Sequence, residues 1–167
     1  MARMMARCEA RPWGYPGMAI ALALALALAA CSRQSSPEAE IRTLVAQAQT
    51  AAEERDVRAL RELIADDYTD DQGHDRKAME NLIRLHVLRH QSVHLFTRIR
   101  GIEFPEPERA LVSVAAAMAG RPVIKADELV GVSADLYRFD LEMVRRNGNE
   151  WQVRRAAWEP ARLDEFW

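Results

Sequence analysis

The hydrophobic period of this chain changes once, near Gln91, and that change decides which class of fold is open to it. Before it, apolar residues recur every three or four positions. Ile41, Leu44, Val45, Ala48 and Ala52 form the stripe of an amphipathic helix, with Ser36 as N-cap, Pro37 in the first turn and Glu38 facing the positive end of the helix dipole. Asp56 caps a short second helix carrying Val57, Leu60, Leu63 and Ile64. Residues 66–73 are too polar and turn-prone to continue it and read as a solvated loop, after which Asp75 starts a third helix through Met79, Leu82, Ile83 and His86 to about His90. Beyond Gln91 the period becomes two. Val93, Leu95, Thr97 and Ile99 face one way and His94, Phe96, Arg98 and Arg100 the other, and Gly101 marks a bulge that resets the phase for Ile102 and Phe104. Residues 105–108 read as a loop, 109–119 as a second long strand and 120–132 as an irregular crossing. Tyr137, Phe139, Leu141 and Met143 alternate with Arg138, Asp140 and Glu142, a half-buried strand with a charged outer face. Asn147-Gly148 is a hairpin signal leading to a returning strand with Trp151, Val153, Ala156 and Trp158, whose phase slips near Arg154. Helices first and meandering antiparallel strands afterwards predict an α+β domain, with Phe166-Trp167 on a loosely docked tail.

The residues ahead of this domain predict an address. Met18 to Ala30 is an unbroken apolar run of 13 residues, preceded by Arg3, Arg7 and Arg11. As a helix it would cover only about 20 Å of a hydrocarbon layer about 30 Å thick, so it reads as a secretory signal peptide rather than a span. Its end, Leu28-Ala29-Ala30-Cys31, resembles the bacterial lipoprotein box. That resemblance implies cleavage between Ala30 and Cys31, acylation of the Cys31 thiol and, with Ser32 following, sorting to the outer membrane on its periplasmic side. Several acyl chains suffice for stable anchoring. The expected organisation is a signal peptide over 1–30, a polar tether over 31–36, a folded domain over 37–160 and a C-terminal tail over 161–167. Removing the first 30 residues leaves 137, with 20 basic and 24 acidic side chains and no cysteine beyond Cys31. The core must then hold without a disulfide, and such a balance gives no bulk attraction to nucleic acid.

The order of elements, with Asp66-Asp67-Tyr68 after the short second helix and a closing hairpin Asn147-Gly148-Asn149-Glu150-Trp151-Gln152-Val153 followed by Ala157-Trp158, resembles the nuclear transport factor 2-like superfamily, in particular members related to SnoaL and to ketosteroid isomerase. The resemblance spans residues 37–160. It implies a cone: a curved antiparallel sheet wrapped on N-terminal helices, with a pocket between them and Tyr68 in a loop at its mouth. Enzymes, transport factors and binding modules share this plan, so it implies no single activity. No position matches an isomerase motif well enough to receive its catalytic role, because Arg138, Asp140 and Glu142 alternate with aromatics and are expected to face solvent.

Other constellations resolve into plainer readings. His86, His90 and His94 are spaced by four, but the change of period breaks the stripe and leaves His86 and His90 as a two-ligand metal candidate, which is better read as core-lining imidazoles. Placing Gly73 at the sixth position of a calcium loop puts Tyr68 at the first and Met79 at the twelfth, so both ligand positions fail. Gly131 to Asp135 lacks the last glycine of a nucleophile elbow, and no histidine follows it. No cofactor is expected. These features favour a lipid-anchored, non-enzymatic periplasmic domain that binds a small apolar ligand or an envelope protein. The alternative is an isomerase- or dehydratase-type enzyme with Tyr68, Asp67 and His90 as acid-base groups. A homodimer through the outer sheet face is a further candidate assembly.

Overall fold

The computed structural model of the protein describes residues 36–89, 92–146 and 150–167. The leader, Ala30, Cys31, His90 and the Asn147-Gly148 turn lie outside the described residues. The elements run α1 (Pro37–Glu53), α2 (Val57–Glu62), β1 (Ile64–Asp70), α3 (Arg76–Arg89), β2 (His94–Glu106), β3 (Arg109–Ala119), a 3-10 turn (Ala126–Leu129), β4 (Ala134–Arg146), β5 (Glu150–Pro160) and a last 3-10 turn (Leu163–Phe166). Each expected helix cap forms. Ser36 Oγ accepts from the Ala39 N–H at 3.2 Å, Asp56 Oδ1 from Ala59 at 2.9 Å and Asp75 Oδ1 from Ala78 at 2.8 Å. Among the described residues no helix is long and apolar enough to cross a membrane.

The five strands make one curved, unclosed sheet in the order β1-β5-β4-β3-β2. The pairs β2/β3, β3/β4 and β4/β5 are antiparallel, as the alternation predicts. Both expected phase slips are present: the β2/β3 register shifts between Ile99 and Gly101, and on β4/β5 Glu142 faces Arg155 while Met143 faces Val153, which leaves Arg154 as the extra residue.

Two expectations need correction. Residues 66–73 are not a loop, because Ile64–Asp70 is an edge strand paired parallel to β5, so the sheet is mixed rather than wholly antiparallel. Its polar composition hides it. An edge strand is paired on one side only, and an irregularity between Ile64 and Thr69 destroys the simple alternation, burying Ile64, Ala65, Tyr68 and Asp70. The tail is not loosely docked either. Phe166 is fully buried, its ring 6.2 Å from that of Phe96.

These contacts reveal two cores, one on each face of the sheet. On the helix side, Ile41 and Val45 of α1 pack on Ala110, Val112, Val114, Met143 and Trp151. Glu40 ties α1 down: it accepts from Trp151 Nε1 at 3.0 Å and pairs with Arg145, whose guanidinium lies 4.8 Å over the Trp151 ring. On the other side, Ala115, Ala117 and Ala119 lie under Val123, Leu129 and Phe166. Successive β3 residues serve opposite cores, as strand geometry requires. Phe166→Ala should therefore cost about 3–5 kcal/mol, read as a lowered urea midpoint. An unchanged midpoint would show that the tail is not part of the core.

Candidate functional site

Where α1, α2 and α3 arch over the concave face they enclose a cavity of about 610 Å³. Val114, Ala116, Phe139, Leu141, Val153 and Trp158 form its sheet side. These residues point inward because they belong to the alternating apolar sets of β3, β4 and β5, with the slip at Arg154 returning Ala156 and Trp158 to the face already occupied by Val153. Phe139 and Trp158 lie with ring centroids 6.4 Å apart. On the helix side, Met79, Leu82, Ile83 and Leu85 of α3 complete the lining. Leu82 and Leu85 also remain 40% and 44% exposed, so they mark the mouth.

Polar groups are few. Gln49 Nε2 donates to the Leu95 carbonyl at 2.8 Å and its Oε1 accepts from Thr97 Oγ1 at 2.9 Å, so this amide is occupied within the protein. Tyr68 is buried and lines the cavity, and among the described residues its hydroxyl has no hydrogen-bond partner. Burial, reinforced by the charges of Asp70 and Asp71, raises its pKa well above the ordinary tyrosine value. The hydroxyl is thus a standing donor rather than a base. His86 and Arg89 also line the cavity, whereas no Asp or Glu does so among the described residues.

The sequence-based candidates therefore separate. Tyr68 reaches the cavity, from a strand rather than a loop. Asp67, next to it on β1, is exposed and does not line the cavity. His86 lines it from α3, while His90 lies outside the described residues. Among the described residues no three His, Cys, Asp or Glu side chains converge as a metal site. Arg138, Asp140 and Glu142 lie on the outer face as expected, but Glu142 is largely covered by its ion pairs with Arg109 and Arg154. A second concavity of about 600 Å³ occupies this face, lined by Asp70, Glu103, Ser113, Asp140 and Glu142 among others. It carries the charge but lacks an enclosing layer of helices.

Gln49 and Arg89 were missed as site residues. For Gln49 a signal existed, since it sits four residues after Val45 and three before Ala52, inside the apolar stripe. Arg89 had none, being one of many arginines.

No protein-family model and no curated protein matches the sequence. Solved structures do. A ketosteroid isomerase-like protein from Erwinia carotovora atroseptica superposes with a TM-score of 0.57 at 15% identity, over 77% of this chain and 99% of that one. The fold is nuclear transport factor 2-like. A candidate scytalone dehydratase from Novosphingobium aromaticivorans gives a TM-score of 0.60 at 12% identity, over 74% of this chain and 83% of that one. A nuclear transport factor 2-like protein of unknown function in nutrient uptake from Rhodospirillum rubrum gives 0.54 at 18%, over 72% and 98%.

The state of Tyr68 has a pH consequence. With the folded value raised above the unfolded value of about 10, its contribution to stability is complete below about pH 10 and is lost as pH rises toward the folded value. In an alkaline titration the Tyr68 phenolate should appear only together with unfolding, and Tyr68→Phe should abolish that component. Ionisation of Tyr68 with the near-ultraviolet circular dichroism still native would contradict its buried state.

Proposed function

We propose that this is a lipid-anchored envelope domain whose cone binds a small apolar ligand without transforming it. The observation that carries the reading is the cavity: about 610 Å³, walled by aliphatic and aromatic side chains, with one unpartnered hydroxyl and no lining carboxylate among the described residues. A volume in the range of about 300–1,000 Å³ suits a single drug-sized or lipid-sized molecule. The anchor is supported by the leader and by Leu28-Ala29-Ala30-Cys31.

Residues 36–167 contain all five strands and both cores, so this segment is a self-contained folding unit for binding studies. It should bind the neutral dye N-phenylnaphthylamine with a rise in fluorescence. Ala116→Leu, which adds carbon into the void rather than into a packed core, should abolish that rise without lowering the urea midpoint. Dye binding that survives the filled cavity would move the site elsewhere. For the anchor, radiolabelled palmitate should enter the full chain in a bacterial host and fail to enter Cys31→Ala. Equal labelling of both would refute lipidation at Cys31.

A dehydratase- or isomerase-type reaction is the second reading. It is supported by Tyr68 and His86 lining one cavity and by the names of two structural neighbours. Tyr68 would then serve as hydrogen-bond donor and His86, in place of Asp67, as the titratable group. Turnover of an enolisable ketone or a hydroxy-ketone by the domain, lost in Tyr68→Phe, would favour this reading over passive binding.

A further inference from the structure

The mouth of the cavity differs from its interior in one respect that specifies the ligand further. Arg89, at the end of α3, lines the cavity and is exposed, and among the described residues no carboxylate pairs with it. Lys77, at the far end of α3, does not line the cavity, and the arginines on and beside the helix are engaged. Arg84 pairs with Glu80 at 2.9 Å, Arg61 with Glu80 at 3.4 Å, and Arg76 with Asp66. The last carbonyls of a helix attract cations, but here Arg55 already donates to the Val87 carbonyl at 2.7 Å. Arg89 therefore shares the exposed rim with Leu85 and Leu82, four and seven residues before it on α3, at the border between solvent and an apolar chamber without an acidic lining residue among the described residues.

We infer that the ligand is an amphipathic monocarboxylate, an aliphatic acid whose tail fills the cone and whose carboxylate rests on Arg89 at the mouth. This rests on the apolar-ligand reading and narrows it. A wholly apolar molecule would leave the guanidinium unused at the entrance. A compact polar anion would leave the aliphatic and aromatic walls without a partner, since among the described residues the other polar lining groups are only Tyr68, His86 and the mutually bonded Gln49 and Thr97. A head with one negative charge on an aliphatic tail satisfies both regions. Each methylene added to the tail should tighten binding about fourfold until the chamber is full.

The test displaces N-phenylnaphthylamine from residues 36–167 with decanoate and, separately, with decanol, which has the same tail and no charge. Decanoate should compete at a concentration about tenfold lower than decanol. Arg89→Gln should remove most of that advantage and leave decanol unchanged, while Arg89→Lys should keep part of it. Circular dichroism checks that each variant is folded, and among the described residues this exposed side chain has no ion-pair or hydrogen-bond partner whose loss would unfold the domain. Equal competition by the two ligands in the native protein, or an advantage that survives Arg89→Gln, overturns the assignment of a carboxylate ligand alone. Failure of both ligands to displace a bound dye overturns the apolar-ligand reading with it.

Discussion

The cavity depends on one buried carboxylate. The Asp70 side chain is wholly enclosed at the end of β1, where Oδ1 accepts from the N–H groups of Gln72 at 2.9 Å and His74 at 2.8 Å, and Oδ2 meets His74 Nδ1 at 2.9 Å. A polar group in such a place is tolerated only when hydrogen-bond donors converge on it. Here they come from a tight reversal in which Gly73 takes φ 83°, a conformation that favours glycine. The reversal delivers the chain to Asp75, which caps α3, and so sets where that helix begins. This matters because α3 buries none of its own side chains. It is held at its ends, by Asp75 and the Arg76 to Asp66 pair at the start and by Arg55 on the Val87 carbonyl near the finish. A helix held that way can roof a void without filling it.

Much of the architecture was legible because it is written in period. The inward set of β4, the reset at Gly101 and the slip at Arg154 all follow from counting apolar positions, and the first and last of these place wall residues of the cavity. What was hidden was structure that depends on partners distant in sequence. Ile64–Asp70 has the composition of a loop and becomes a strand because β5 offers it an edge. Phe166 looks like a loose end, yet the alanines of β3 leave room for its ring on the outer face. Asp70 sits in a run of acids, and nothing local distinguishes the one that is buried from those that are solvated.

The site was partly legible. Tyr68 and the aromatics Phe139 and Trp158 emerged from pattern and resemblance together. Arg89 did not, since a lone charge gains meaning only when its neighbours are found to be occupied and the chamber beside it apolar. The physical character of the cone follows from this division. On the proposed reading its interior selects by size and hydrophobicity, which discriminate weakly between related tails, while Arg89 at its border selects by charge.

The strands that wall the cavity also carry the charged outer surface, with neighbouring residues assigned to opposite sides: Val114 and Ala116 to the cavity side, Ser113 and Ala115 to the reverse. Such a wall separates two evolutionary problems that share a backbone. Substitutions on one side can retune the chamber for a new occupant while the other side keeps its surface, and the converse holds as well. Along β3, where the alternation is unbroken, divergence can therefore proceed along two separate tracks, whereas Leu141 and Ala156, which line both concavities, tie the two together.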